Sequence, residues 1–518
     1  MPQNLDQTQT PLLSQLQRSA RSNTAPFHTP GHHKGNAIPE ILKSWLGAEV
    51  FQGDLPELPE LDNLFAPEGI IHHAQTLAAA AWGADRTYFL TNGSTAGILA
   101  AILTVCNPGD SIVIPRNVHR SVISGLILSG ANPVFVMPRY DDDFDIVQGI
   151  DPGDLKKTLD TNPTVKAILI VSPTYYGVCS DIKSIVELAH DRNLPLIVDE
   201  AHGAHFGFHP ALPKSALHYG ADLVIQSTHK TLSAFTQASM LHQQGPHINV
   251  DRLSQSLALI QSSSPNYLLL ASLDAARMQM ATQGERLFEL AIRRVNQVRS
   301  QLKTIPGLRL FDHELNHDLI DPLRLTVNLK NLNLNGFLAD EILHEEYGVT
   351  CELPSTQNLT FIFTHGTTDQ DCDRLIDSFK HLANRPPTPH AKESNPPNSI
   401  HLKVPLTKGD LGGSLTPPPP NLSPREAFFA PTQTLPTHQA IGHLSADLLC
   451  PYPPGIPLII PGEIITQTAL NTLTQLLASG GTITGLSDAT FMTLRVISTS
   501  RPESFHKAGP TLLINPMP

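Results

Sequence analysis

The chain has 518 residues, of which 40% are hydrophobic and 16% are charged, and its formal net charge is −12. Because phosphate backbones are bound by Lys and Arg, this acidic balance argues against general nucleic-acid binding. The apolar runs are far shorter than the roughly 20 residues that span a bilayer, and five scattered cysteines without a CxxC pair are typical of reduced thiols. We therefore expect a cytoplasmic protein without membrane contact.

Short apolar strands alternate with helices between residues 61 and 300, after an N-terminal arm of residues 1–60. The arm contains one predicted helix and the loop FHTPGHHKG. The predicted strands are RTYFL, SIVIP, VKAILIVSP, LPLIVDE and ADLVIQS, and the helices between them include STAGILAAILTVC and IKSIVELAHDRN. This alternation indicates βαβ units and an α/β domain built on a mainly parallel sheet.

Two further domains and a linker are predicted in the last part of the chain. Residues 301–385 have the pattern of a smaller α+β domain, with strands RLTVNL and LTFIFTHG and helices LADEILHEEYG and CDRLIDSFKHLANR. Residues 386–424 contain 11 prolines, including PPPP at 417–420, which is typical of a linker or surface loop. Residues 425–518 form a C-terminal domain whose most distinctive run is PYPPGIPLIIPGEIIT.

The stretch LPLIVDEAHGAHFGFH, residues 194–209, has three interpretations. A helicase DEAH box would need a phosphate-binding P-loop, and the dipeptide Gly-Lys that such a loop contains does not occur in this chain. His202, His205 and His209 have the spacing i, i+3, i+7 of ligands on a helix. Two glycines interrupt that segment and Pro210 follows it, so a polar loop is favoured and no metal site is predicted.

The third interpretation rests on Asp199, at the carboxyl end of a predicted buried strand. Lys230 follows the next strand along the chain, and Gly93, Ser94 and Thr95 lie between a strand and a helix. Ligands bind at the carboxyl edge of such sheets, and the N–H groups of a helix N-terminus bind phosphate. Pyridoxal phosphate requires an acid for its ring nitrogen, an amine for its aldehyde and an anchor for its phosphate. The pattern therefore predicts this cofactor.

Six motifs, in the same order, resemble those of the bacterial ornithine/lysine/arginine decarboxylases. The most specific is STHKTLSAFTQAS at 227–239, which resembles the cofactor-lysine signature; the others are FHTPGHHKG, TNGSTAG, PRNVHRS, VDEAHG and PYPPGIPLIIPGE. The resemblance is to the short members of the family. It implies the type I fold of pyridoxal-phosphate-dependent transferases, with a mainly parallel seven-stranded sheet, a small α+β domain and a C-terminal decarboxylase domain.

The resemblance also implies roles for residues around the cofactor. Lys230 would bind it covalently, Asp199 would hold the proton of its ring nitrogen by a charge-assisted hydrogen bond, and His229 would bind phosphate or supply a proton to the substrate Cα. The other expected cofactor contacts are His119 and Ala201 on the two ring faces, His202 near the ring, and Ser94, Thr95 and Ser227 at the phosphate.

The expected partners are a second copy of the chain and a small basic amino acid. SSSPNY, residues 262–267, is similar to a segment that reaches across a dimer interface to the partner's phosphate in relatives. The resemblance therefore implies a homodimer or a larger assembly of dimers, with Ser262 and Ser263 as the contacting residues.

The implied function is decarboxylation of a basic amino acid to its amine, for polyamine biosynthesis, with arginine favoured over lysine and lysine over ornithine. An acid far from the ring must bind the distal cation; the candidates are Glu463 first, and then Asp54, Glu57 and Glu352. Two alternatives stay open. An aminotransferase would use an Arg for the substrate carboxylate, and Arg324 could serve; a non-catalytic relative would be expected to lose Lys230, which is present.

Overall fold

The computed structural model describes residues 5–311, 319–385, 422–452 and 454–498. The predicted proline-rich linker therefore lies almost wholly outside the described residues. The N-terminal arm contains three helices where the sequence predicted one: α1 (Pro11–Arg21), α2 (Glu40–Leu46) and α3 (Ala48–Gly53).

Alternating strands and helices follow the arm, as the apolar runs predict. The strands are β1 (Arg86–Leu90), β2 (Ser111–Pro115), β3 (Asn132–Val136), β4 (Tyr140–Asp141), β5 (Ile146–Val147), β6 (Ala167–Val171), β7 (Leu196–Asp199), β8 (Leu223–Gln226) and β9 (Ser239–Gln243). The helices are α4 (Ile70–Trp82), α5 (Gly93–Val105), α6 (Arg120–Ser129), α7 (Pro152–Thr161), α8 (Ile182–His190), α9 (Ala216–Tyr219), α10 (Thr228–Thr231), α11 (Val250–Ile260) and α12 (Tyr267–Leu302).

Seven of these strands form one sheet in the order β1-β9-β8-β7-β6-β2-β3. Strand β9 runs antiparallel to both of its neighbours, and the other pairings are parallel. The prediction of a mainly parallel seven-stranded sheet is therefore confirmed, with β9 as the reversed strand. Strands β4 and β5 pair separately as a short hairpin.

Apolar side chains cover both faces of the sheet. Ile197 and Ile225 face a core layer that includes α5, α6 and α11, whereas Val198 and Val224 face the layer that includes α4, α8 and α12. Because both faces are buried, the central strands are continuous apolar runs instead of alternating ones. The polar groups that follow them are thereby confined to the strand ends, where Asp199 and Ser227 lie.

A smaller α+β unit follows α12. Its elements are β10 (Arg309–Phe311), β11 (Arg324–Asn328), α13 (Gly336–Tyr347), β12 (Leu353–Pro354), β13 (Asn358–Ile362) and α14 (Asp369–Ala383). The strands form an antiparallel sheet in the order β10-β11-β13-β12. Strand β11 matters for the site, because its first residue, Arg324, is buried against the large sheet's carboxyl edge.

The last elements form a compact α+β unit on the large sheet's helices. They are α15 (Pro424–Phe429), β14 (Thr432–Pro436), β15 (Cys450–Tyr452), α16 (Gln467–Ala478), β16 (Thr482–Thr484) and β17 (Thr493–Ile497). Arg116 attaches this unit, because its guanidinium donates to the Pro457 and Leu458 carbonyls at 2.8 and 2.9 Å and to Glu463 Oε2 at 3.1 Å. Within the described ranges, no helix is both long and apolar enough to cross a membrane.

Candidate active site

A cleft opens at the carboxyl edge of the large sheet, where β6, β7 and β8 end. Its lining consists of Ser94, His119, Ser121, Val171, Pro173, Tyr175, Asp199, Ala201, His202 and Lys230. Six of the residues that the sequence analysis assigned to the cofactor therefore share one cavity. Ser227 joins them, because its hydroxyl donates to Ser94 Oγ at 2.8 Å.

Asp199 and Lys230 act on each other electrostatically across this cleft. Asp199 is 5% exposed, and burial raises the pKa of its carboxyl group, whereas the charge of Lys230 opposes that rise. Burial lowers the pKa of the Lys230 ammonium, and Asp199 opposes that fall. Among the described residues, the Ala201 N–H is the hydrogen-bond donor to Asp199, at 3.2 Å from Oδ1. The other carboxylate oxygen is left for a ligand.

A chain of contacts runs from Arg324 through His202 to Lys230. Arg324 Nη2 lies 2.8 Å from His202 Nδ1, and His202 Nε2 lies 3.0 Å from Lys230 Nζ. A guanidinium can only donate, so His202 Nδ1 accepts and the neutral ring carries its proton on Nε2. Burial, reinforced by the charge of Lys230, lowers the pKa of His202 well below its ordinary value, which keeps the ring neutral.

This tautomer bears on the charge of Lys230. Because the His202 Nε2–H points at Lys230 Nζ, the contact favours the neutral amine, in the same direction in which burial lowers the pKa of Lys230. The neutral amine is also the form that attacks an aldehyde. His202 therefore contacts Lys230. Arg324 is also a site residue, and its contact with His202 was not predicted from the sequence. No signal in the sequence joins positions 202 and 324.

Arg324 is buried with spare hydrogen-bonding capacity. It is 2% exposed, and its Nε and Nη1 have no hydrogen-bond partner among the described residues. Gly177, with φ +85°, leaves room for this side chain, because a Cβ at that position would lie 2.5 Å from Arg324 Cγ. Asp321 Oδ2 is 3.9 Å from Arg324 Nε and offers partial compensation for the buried charge.

The N-terminus of α5 forms a polar cup next to the cleft. Gly93 begins the helix with φ +75°, and the hydroxyls of Ser94 and Ser227 are bonded to each other there. Thr95 is exposed at the same helix start. The backbone N–H of Ser262 donates to Asn92 Oδ1 at 3.2 Å, which brings the SSSPNY segment to this cup within the same chain.

The two remaining histidines have different surroundings. His119 caps α6 through its Nδ1, which accepts from the Ser121 N–H at 3.2 Å. Burial first, and then the charges of Lys230 and Arg120, lower the pKa of His119 to about 4. Its ring is therefore a neutral, flat surface on the cleft wall. His229 does not line the cleft, and its Nδ1 lies 3.0 Å from the Ala238 carbonyl oxygen.

The four candidate acids for the substrate have different partners. Glu463 binds Arg116 and accepts from the Ile460 N–H, Asp54 binds His32 at 3.1 Å, and Glu57 accepts from Asn63 and Leu64. Burial lowers the pKa of Lys230 and raises that of Tyr175; the negative charge of Glu352, which is exposed, partly offsets the first change and adds to the second. Glu352 is therefore close enough to the cleft to act on its charges.

The three histidines of the stretch at 194–209 do not converge on one point. His202 lies between Arg324 and Lys230, His205 binds Asp321 at 3.0 Å, and His209 binds Glu289 at 3.0 Å. Each of these three imidazoles therefore has its own partner among the described residues.

These residues fit pyridoxal phosphate. The cleft offers an amine at Lys230, an acid at Asp199, a flat imidazole at His119 and a hydroxyl-lined helix start at Ser94. A buried carboxylate with a single hydrogen-bond donor is costly, and a protonated ring nitrogen would supply a second, charged donor. This arrangement, on a sheet of this strand order, is that of a pyridoxal-phosphate enzyme of fold type I.

Comparison with known proteins gives the family. Residues 10–321 match the family profile described as "Orn/Lys/Arg decarboxylase, major domain", and residues 416–486 match its C-terminal domain. The arginine decarboxylase of Bacillus subtilis (strain 168) is 37% identical over 497 residues, which cover 95% of this chain and 99% of that one. The arginine decarboxylase of Halalkalibacterium halodurans is 38% identical over 496 residues, or 95% and 98% of the two chains.

A solved structure shows the same fold. The lysine decarboxylase LdcF of Francisella novicida superposes with a TM-score of 0.80 at 23% identity, covering 94% of this chain and 81% of that one. The chain therefore belongs to the Orn/Lys/Arg decarboxylase family and is a pyridoxal-phosphate-dependent decarboxylase of a basic amino acid. This result removes the aminotransferase and the non-catalytic alternatives.

Asp199→Asn is expected to lower activity while raising the stability of the cofactor-free protein. It should lower kcat about 10²- to 10³-fold, because a neutral amide does not stabilise the charge on the ring nitrogen. Since burial raises the pKa of Asp199, the ionised acid costs the cofactor-free protein stability as pH rises above the ordinary Asp pKa. The Asn variant without cofactor should melt at a higher temperature than wild type at pH 7, and the difference should vanish in acid.

Thermal melts between pH 4 and pH 8, together with steady-state rates, check this prediction. Asp181→Asn is the matched control, because Asp181 is an exposed helix cap that Asn can replace. A variant of Asp199 that keeps wild-type kcat would contradict the assignment of the acid.

Proposed function

We propose that this chain decarboxylates L-arginine to the corresponding guanidino amine in the cytoplasm, as a step of polyamine biosynthesis. The supporting observation is its identity of 37% to an arginine decarboxylase over 99% of that enzyme's length. All five cysteines are buried free thiols, which is consistent with a reducing compartment.

Each site residue would have a defined task. Pyridoxal phosphate, when bound, supplies the electron sink for the bond from Cα to the carboxylate. Lys230 would hold the cofactor covalently, and Asp199 would keep a proton at the ring nitrogen. His119 would pack flat on one ring face with Ala201 opposite. Ser94 and Ser227 would bind the phosphate at the start of α5, with Thr95 nearby.

Proton delivery to the substrate Cα is better assigned to Lys230 and His202 than to His229. Lys230 lines the cleft, and His202 Nε2, 3.0 Å from Lys230 Nζ, would orient the amine that carries the proton. His229 is held by the Ala238 carbonyl instead and does not line the cleft. We therefore place His229 behind the lysine as a support, next to the phosphate cup.

Glu352 is our candidate for binding the distal cation of the substrate. It is exposed, and its charge acts on Lys230 and Tyr175, which line the cleft, whereas Glu463 is engaged by Arg116. Glu352→Gln is expected to raise KM for arginine about tenfold, equivalent to about 1.4 kcal/mol, with kcat changed less than KM.

The kinetic controls distinguish a pocket residue from a structural one. Glu345→Gln, on the exposed face of α13, should change neither constant. Glu463→Gln should leave KM within about twofold but lower the melting temperature, because it breaks a bond to a buried guanidinium. If Glu463→Gln alone raised KM, the distal acid would be Glu463.

The exposed apolar side chains of the N-terminal arm support a homodimer. Phe27, Ile41 and Trp45 are 92%, 82% and 78% exposed, which is unusual for residues of this size on a monomer surface. We expect light scattering of the purified protein to give a mass of at least twice 56.3 kDa. In such a dimer Ser262 and Ser263 would contact the partner's phosphate, whereas within one chain the Ser262 N–H donates to Asn92.

The function is tested by carbon dioxide release and amine formation with arginine, lysine and ornithine. The holoenzyme should turn over arginine with a kcat/KM at least tenfold above that for the other two. A preference for lysine would overturn the substrate assignment. Absence of carbon dioxide from all three would overturn the function.

A further inference from the structure

Two histidines and one aspartate gather at the opposite edge of the large sheet from the cleft. Asp222 immediately precedes β8, His190 is the last residue of α8, and His247 lies between β9 and α11. His190 Nε2 is 3.0 Å from Asp222 Oδ2, and His247 Nδ1 is 2.8 Å from Asp222 Oδ1. We call these three residues the lower-edge cluster. Lys230 follows β8, so the length of that strand separates the cluster from the cofactor site.

The lower-edge cluster has the form of a metal-binding recess. The Asp222 side chain is 2% exposed at its base, whereas those of His190 and His247 are 32% and 19% exposed at its rim. The two imidazole rings stack with centroids 4.4 Å apart. In the parts of the chain that the structure describes, this is the one group of three His, Cys, Asp or Glu residues with all ligand atoms within 4.8 Å.

The three ligands are held by bonds that do not depend on a metal. The Leu196 N–H donates to Asp222 Oδ2 at 2.8 Å, which fixes the carboxylate. The loop that carries His247 is fixed at Gly245, whose N–H donates to Asp85 Oδ2 and whose carbonyl accepts from Gln243 Nε2, both at 2.9 Å. His190 is part of a helix. A preorganised set of this kind loses little entropy when it binds an ion.

We propose that the lower-edge cluster binds a divalent transition metal of the Zn²⁺ class. Two imidazole nitrogens and one carboxylate are the mixed N/O donors that such ions prefer, whereas Mg²⁺ and Ca²⁺ take oxygen ligands. The ligands are His190 Nε2, His247 Nδ1 and Asp222, at bonds of about 2.0–2.2 Å, and water completes the coordination. To bind the ion, each imidazole must carry its proton on the ring nitrogen that faces away from Asp222.

The bound ion would act as a structural clip. It would join the end of α8, the start of β8 and the β9–α11 loop, three segments that are distant in the chain. Because the cluster lies at the far end of β8 from Lys230, metal binding should raise the melting temperature and leave turnover unchanged. The prediction does not depend on which amino acid the enzyme decarboxylates.

The test compares the wild-type holoenzyme with the variant His190→Gln/His247→Gln. After treatment with a chelator, both are dialysed against micromolar Zn²⁺ and their metal content is measured. Wild type should retain one more Zn²⁺ per chain than the double variant and should melt at a higher temperature with Zn²⁺ than without it. His72→Gln/His73→Gln, which removes two exposed histidines of α4, should behave like wild type.

Three results would overturn the proposal. They are equal Zn²⁺ retention by wild type and the double variant, an equal rise in melting temperature with Mg²⁺, and no anomalous density between the three side chains in crystals soaked with Zn²⁺. The last measurement uses the wild-type protein, so it applies even if the double variant fails to fold. The single variant His247→Gln, in a loop, is a second route to the binding comparison.

Discussion

Replacement of Lys230 by alanine is expected to abolish decarboxylation, with a fall of roughly 10⁴- to 10⁶-fold in kcat, as found when a covalent catalyst is removed. The residue lines the cleft together with Asp199 and His202, and burial lowers the pKa of its amine. Without it, no other amine of the described cleft lining can attach the cofactor.

The spectrum of the protein separates this effect from unfolding. Wild type should gain visible absorbance when pyridoxal phosphate is added, and sodium borohydride should fix the cofactor to the chain. Lys230→Ala should show neither result, while its melting temperature stays within a few degrees of wild type, because burial already disfavours the charged amine. Lys214→Ala, an exposed lysine, should behave like wild type. Borohydride labelling of the Lys230→Ala protein would contradict the assignment.

Arg277→Ala is expected to cause the largest loss of stability, about 3–5 kcal/mol, because it leaves a buried carboxylate without its partner. Arg277 and Asp274 are both fully buried on α12 and are bonded to each other. Arg277 Nη1 also donates to the Gln7 carbonyl at 2.7 Å, and Asp274 accepts from the Leu12 N–H at 3.1 Å. The pair therefore fixes the N-terminal arm to the large domain.

Urea unfolding followed by tryptophan fluorescence and by circular dichroism checks this effect. Arg286→Ala, on the exposed face of the same helix, should cost less than about 0.5 kcal/mol. Arg277→Met combined with Asp274→Leu should recover part of the loss, because no charge then remains buried. If Arg277→Ala unfolded at the wild-type urea concentration, the pair would have no such role.

The central sheet could be predicted because its signals are local. Each buried strand is an apolar run, and the residues that follow the runs, Asp199 and Lys230, must lie at one edge once the strands are parallel. Strand β9, SMLHQ, escaped prediction because three of its five residues are polar. Its reversed direction depends on pairing with β1 and β8, which no local pattern encodes.

The contacts that tune the site could not be predicted. Arg324 reaches His202 across 122 positions of the chain, and the tautomer of His202 follows from that contact alone. Glu463 has a motif that suggested the substrate pocket, yet the fold places it on Arg116. Packing of the whole chain decides which distant group a charged residue contacts. The sequence alone does not show whether that group belongs to another part of the chain or to a ligand.

The contacts of Arg116 determine which residues are needed when the C-terminal unit is exchanged between relatives. Two of the three acceptors of that guanidinium are main-chain carbonyls, which every amino acid provides. Side-chain replacement at positions 457 and 458 should therefore preserve the Arg116 contacts. Position 463 must keep an acid. Chimeras that exchange this C-terminal unit between relatives should fold correctly wherever Arg116 and Glu463 are both retained.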